Sequence, residues 1–230
     1  CKTINICERG NLKLKNNIVD AESIDISMNG ELEIIDSKIE LEEGITITEF
    51  GKFRIFGSEI KSENTGINKE GFEVIECKES KIEGISGVVI EEGECNILKD
   101  VDIDSIQNGV LIKGMSHALL EGMEIKSKGL GIGIDNDETE IIEGVKIKAK
   151  EVIEAKGLVE ITDSELEGVV TVDLMNNMSI SKSKMGSLTV MGAGVIGIEG
   201  SEAKGEGISV IGNGELEIID SKIELEEGIT

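Results

Sequence analysis

From Gly10 onward the chain repeats one order of apolar and polar positions. In the unit that opens at Gly30, an alternating stretch Leu32-x-Ile34 leads to a polar pair, Asp36-Ser37. Ile39 then turns one aliphatic side chain inward, and Gly44 precedes a second alternating pair, Ile45-x-Ile47. Units of the same kind open at Gly10 and Gly51, and near Gly71, Gly93, Ser116, Asp137, Gly157, Asn177, Gly194 and Gly214. A period of two puts one set of side chains on one face of a strand, whereas helical i, i+3, i+4 spacing does not persist here. A sandwich would join longer strands through primed hairpin turns, which these regular polar breaks do not resemble. A chain that climbs one strand spacing per turn explains the constant unit. Each strand then pairs in parallel with its counterpart one turn on, and equivalent residues stack about 4.8 Å apart as Ile, Ser/Asn and Gly ladders. The expected fold class is all-β, a right-handed parallel β-helix (β-solenoid) of about ten coils of about 20–22 residues. It fills residues 1–230 as one β-solenoid domain, or as a segment of a longer array, and makes a rod about 50 Å long. Units 71–92 and 93–115 are slightly longer, so a lateral bulge is expected there.

The pattern GxLxIxxSxI…GIxI resembles the right-handed parallel β-helices of the pectin-lyase-like superfamily, and the resemblance covers essentially the whole chain. It implies a fold more than a function, because that superfamily holds pectinases, lyases, phage tailspikes, adhesins and copper-pathway periplasmic proteins. Its polygalacturonase-like members use three clustered Asp with a Gly-His-Gly and an Arg-x-Lys. Here the single histidine sits in Ser116-His117-Ala118, and no Arg-x-Lys occurs. Its pectate-lyase-like members set a basic residue beside calcium carboxylates. The two arginines here, Arg9 and Arg54, show no paired acidic cluster.

Composition narrows the chemistry further. The chain has 230 residues with four Phe, no Tyr, no Trp and no Pro. A core without large rings is narrow and filled by stacked Ile, Val and Leu, and the lack of Pro suits a backbone whose N–H groups join ladders. Sugar-binding grooves usually carry aromatic platforms, so a polysaccharide enzyme loses support. A net charge of −24 argues against nucleic acid, and no segment is long and apolar enough for a helical membrane span. Cys1, Cys7, Cys77 and Cys95 form no CxxC pair. Cys77 and Cys95 fall at different coil positions, which suggests free thiols. Cys1 fits an acylated lipoprotein residue or a cut from a longer chain. Asp100, Asp102 and Asp104 alternate with Val101 and Ile103, which would project all three from one strand face as candidate acids or cation ligands. A solvated face is the simpler reading. Asp135-Asn136-Asp137-Glu138 offers loop oxygens suited to calcium but reads more simply as a polar turn. His117 is expected at a turn. Gly131-x-Gly133 and Gly192-x-Gly194 precede no helix and are not nucleotide loops.

Asn29–Thr46 and Asn213–Thr230 are identical letter for letter, whereas residues 1–28 match 185–212 only at Gly10/Gly194, Glu22/Glu206 and Ile24/Ile208. Asn213–Thr230 should form the last coil, stacked on 194–213. No amphipathic helix is expected over either end, which leaves coil edges free to pair end to end with another copy. The function expected is a structural or interaction protein forming a rigid rod, extracellular or at the cell surface: an adhesin stalk, fibre or filament subunit. It is expected not to be an enzyme and to use no cofactor or metal. The alternative is a polysaccharide lyase or hydrolase, or a periplasmic binding protein of the same fold.

Overall fold

The structure, a computed structural model, describes residues 2–136, 139–156, 158–174 and 177–230, without the side chains of residues 94, 95, 139 and 174. The described residues are strand and turn, with no helix. Two parallel sheets run the length of the molecule, one of 14 strands and one of 11, and each strand pairs with its counterpart one coil away. The result is a parallel β-solenoid of about ten turns, as the alternation predicts.

Each coil contributes one short strand and one long one. In the coil at Gly30 these are Glu31–Ile35 and Lys38–Ile47. The second and third apolar runs of the sequence pattern thus merge into a single strand that bends where its register shifts, between Ala21 and Ser23 in the preceding coil. In two coils the bend splits the long strand, giving Glu59–Ser62 and Thr65–Lys69, then Glu124–Ser127 and Leu130–Asp135. Glycines line the bend: a Cβ on Gly66, Gly87, Gly109 or Gly131 would lie 2.7, 2.6, 2.4 or 2.5 Å from the carbonyl oxygen of Gly87, Gly109, Gly131 or Val152 in the next coil. Close backbone approach, rather than flexibility, requires glycine at these four positions.

Inward side chains stack into aliphatic columns. Ile34 pairs with Ile55 and Leu14, and Ile39 with Ile60. Ile24, Ile45, Ile67, Val88 and Val110 follow one another along the bent strand. These residues are buried, apart from the half-buried Leu14. Burying such a side chain is worth about 1.5–3 kcal/mol, and the columns supply the energy that holds successive coils together.

At the corner between short and long strands, one residue per coil takes a left-handed conformation, as at Asn16, Asp36 and Gly57. The next residue is usually serine, whose hydroxyl donates back to the carbonyl two residues earlier and accepts the next backbone N–H along the stack. Ser37 N–H donates to Ser58 Oγ at 3.0 Å, and Ser58 Oγ donates to Phe56 O at 2.7 Å. Val101, Met123 and Val145 interrupt this ladder with buried apolar side chains. The coil near Gly71 departs from the rule: residues 70–74 form no strand and its short strand starts only at Ile75. This loop lies at the start of the first of the two longer units, 71–92.

Candidate functional site

The outward face of the long strands carries a lattice of charge. Stacked register places Lys38 beside Glu59, Glu59 beside Lys81 and Lys81 beside Asp102; further along, Lys146, Glu165, Lys184, Glu202 and Lys222 alternate in sign. Within a strand the outward neighbours, two residues apart, pair as well. Lys38 meets Glu40 at 2.7 Å and Lys222 meets Glu224 at 2.6 Å. Hydrogen bonding to these amines holds Glu40 and Glu224 below the usual carboxylate range, and the partner carboxylates push Lys38 and Lys222 up. Exposed pairs of this kind each add little stability. The alternation is not continuous, since Asp102 lies beside Glu124 and Glu83 beside Asp104.

An open groove of about 820 Å³ follows the corner beside this lattice, lined by residues including Asp36, Lys38, Glu59, Glu79, Lys81, Asp100 and Asp102. Two of the three candidate acids therefore share a groove, in an arrangement different from the expected one. Asp100 is not on the strand: it occupies the left-handed corner, with φ of 53°, and the strand begins at Asp102. Asp102 and Asp104 do face solvent while Val101 and Ile103 are buried. Among the described residues no three His, Cys, Asp or Glu side chains converge as a metal set. Of the loop-oxygen candidates, Asp135 accepts from Lys156 at 3.0 Å. Asn136 is buried and donates to Ser116 O and to Glu140 Oε1, both at 2.8 Å. Asp137 and Glu138 lie outside the described residues.

The core itself holds polar groups that the alternation pattern hides. Lys69 occupies an aliphatic column, between Ile47 and Ile90 in register, and is fully buried. Its ammonium donates to Gly71 O and Glu92 O, carbonyls at the corner where the long strands hand over to the next short ones. Burial pushes its pKa down to about 8, against the opposing pull of Glu92 and Glu73. Asn96 and Glu140, both fully buried, stand in the first inward column of the short strands, on either side of Ala118. Asn96 Nδ2 donates to Gly93 O at 2.9 Å and His117 O at 3.0 Å, and Glu140 Oε2 accepts Ala118 N–H at 2.7 Å. These side chains serve backbone groups near the corner that carries the irregular loop. His117 is on the strand Ser116–Glu121 rather than at a turn, with Nδ1 3.7 Å from Glu140 Oε2. Arg54 faces solvent beside Glu76 at 3.6 Å. Cys7 is exposed and free; Cys77 is buried and free, and burial pushes its thiol pKa up. The side chain of Cys95 and all of Cys1 lie outside the described residues.

Comparison with protein-family models, with curated proteins and with solved structures gives no match for this chain.

Proposed function

We propose that this chain is a structural rod that lengthens by stacking coil on coil, with a second copy of the chain as the partner. The observation that carries this reading is the repeated segment. Asn213–Thr230 folds as Asn29–Thr46 does, with short strands Glu215–Ile219 and Glu31–Ile35 and long strands Lys222–Ile229 and Lys38–Ile47. Its outer edge therefore offers the backbone and side chains that coil 29–46 offers to its own neighbours.

At the opposite edge, Asn11–Lys15 presents Leu12 and Leu14, half-buried against the core. Stacking this strand of one copy on Glu215–Ile219 of another puts Leu12 and Leu14 against Leu216 and Ile218, and Lys13 against Glu217, with Ile4–Ile6, which pairs with Ile24–Ile26 on the same edge, giving way to Gly228 and Ile229 of the other copy. The chain already makes the same residue pairs, in reversed order along the axis. Leu12 faces Leu32, Leu14 faces Ile34, Asn11 Nδ2 donates to Glu31 at 3.1 Å, and Lys13 pairs with Glu33. Such a contact is heterologous and propagates.

Sedimentation velocity and light scattering over a concentration series test the proposal. Association is expected to grow with concentration. Glu217→Lys and Lys13→Glu should each weaken it, and mixing the two single variants should restore one compatible junction. A particle that stays monomeric at millimolar concentration, or association indifferent to both charge reversals, would sink the reading.

A further inference from the structure

Large exposed apolar side chains gather along one corner of the rod, where each long strand hands over to the next short one. Successive turns carry Met28, Phe50 and Phe72, 50%, 50% and 56% exposed, and two turns further on Met115, 72% exposed. The rings of Phe50 and Phe72 lie 6.5 Å apart, centroid to centroid. Of the four phenylalanines in the chain, these two stand in water. Scattered exposed apolar residues are ordinary, whereas a row built around an aromatic pair marks an interaction surface.

The charges around Phe50 and Phe72 are acidic; a cation, Arg9, stands at the far end of the row, beside Met28. Glu49 adjoins Phe50, Glu73 adjoins Phe72, Glu70 is exposed just before them, and Glu91 and Glu92 occupy the next turn. Of the nearby amines, Lys69 is turned into the core and Lys113 is held by Glu91 at 3.2 Å. A second copy would bring this acidic rim against its own like in a chain of net charge −24. An anionic membrane would be repelled in the same way. The spacing adds a further constraint. Coils repeat every ~4.8 Å, close to the 5.4 Å pitch of an α-helix, so apolar residues one helical turn apart fall beside successive corner residues. We infer that this corner is a docking strip for a cationic amphipathic helix of a partner polypeptide, lying along the rod axis.

The probe is a fluorescein-labelled peptide of Leu and Lys, about 14 residues long, with Leu at helical spacing. A scrambled peptide of the same composition is the control, and both are titrated with the full chain. The patterned peptide should bind at least about tenfold tighter than the scrambled one, and Phe50→Ser with Phe72→Ser should cost about tenfold or more. Glu49→Lys with Glu73→Lys should weaken binding too. Circular dichroism checks that strand content is kept; if the double serine variant loses it, Met115→Ser carries the same expectation at smaller amplitude. Equal binding of both peptides, or affinity unchanged in the folded variants, would show only diffuse attraction to an acidic rod and overturn the inference. Loss of self-association in the same variants, without an effect on peptide binding, would assign the strip to a second copy and equally overturn it.

Discussion

Two stretches of this chain share one sequence and differ only in what stacks on them. In Asn29–Thr46, coils lie on both sides; in Asn213–Thr230, a coil lies on one. The local conformation is the same in both. Asp36 and Asp220 each take a φ of 48°, and Lys38–Glu40 and Lys222–Glu224 form the same ion pair. Burial is not the same. Leu32, Ile34, Ile39 and Leu41 are buried, whereas Leu216, Ile218, Ile223 and Leu225 are half-buried. Strand, corner and charge pairing thus belong to the segment itself, and most of the stabilising energy belongs to the interface with the next coil, as expected of a quasi-one-dimensional fold.

The largest test of that division is an inward charge in each copy. Ile34→Asp buries a carboxylate with no partner and should cost several kcal/mol, on the order of 4 or more. Ile218→Asp, at an open edge, should cost less than half as much. Urea denaturation followed by circular dichroism measures both, and equal losses would mean that stacking neighbours do not set the energetics. Next comes glycine. A Cβ on Gly44 would lie 1.7 Å from Thr65 O, while one on Gly228 meets nothing within 4 Å. Both have positive φ, 104° and 94°. Gly44→Ala should therefore cost roughly 3 kcal/mol and Gly228→Ala about 1; the same melting shift in both would remove contact from the explanation.

Smaller effects come from protons. Lys69 has a folded pKa of about 8 against an ordinary 10.5. Between those values the unfolded chain binds more protons than the native one, so stability attributable to Lys69 rises with pH across that window. The unfolding free energy of the wild type relative to Lys69→Met should accordingly grow from pH 7.5 to 9.5; a flat difference would contradict it. The smallest effect is shared by both copies. Glu40 and Glu224 have lowered folded pKa values. Their contribution is present above the ordinary carboxylate value and fades as pH falls through the folded one. Carboxyl-carbon NMR titration should find both depressed in the same direction, and a normal value at Glu224 alone would show that the pairing needs a second neighbour.

The coils were legible in the sequence because period-two alternation and recurrent glycine are local signals. Ile34, Ile39, Ile45 and Ile47 are inward, as the pattern requires. What escaped depends on register between coils. Lys69 follows Ile67 at the position where neighbouring coils carry Ile47 and Ile90, yet a polar residue there looks like any outward one until the coils are aligned. Asn96 and Glu140 were hidden in the same way. Alternation with Val101 and Ile103 makes Asp100 look like a strand residue, although the residue equivalent to it one turn on is Gly122, also left-handed. The part of the charge lattice that joins one coil to the next is likewise a property of stacking, invisible along a single coil.

The serine and backbone hydrogen bonds that join one coil to the next run along the rod axis, which sets how the rod would answer a pull. Tension applied at its two ends loads these bonds in opening, one rung at a time, beginning at whichever edge lacks a neighbour. Each coil that peels away exchanges ~4.8 Å of rod for roughly 70 Å of extended chain. Extension would then come in steps, each released turn becoming more than tenfold longer than it was in the stack, a spring that gives way by counting coils.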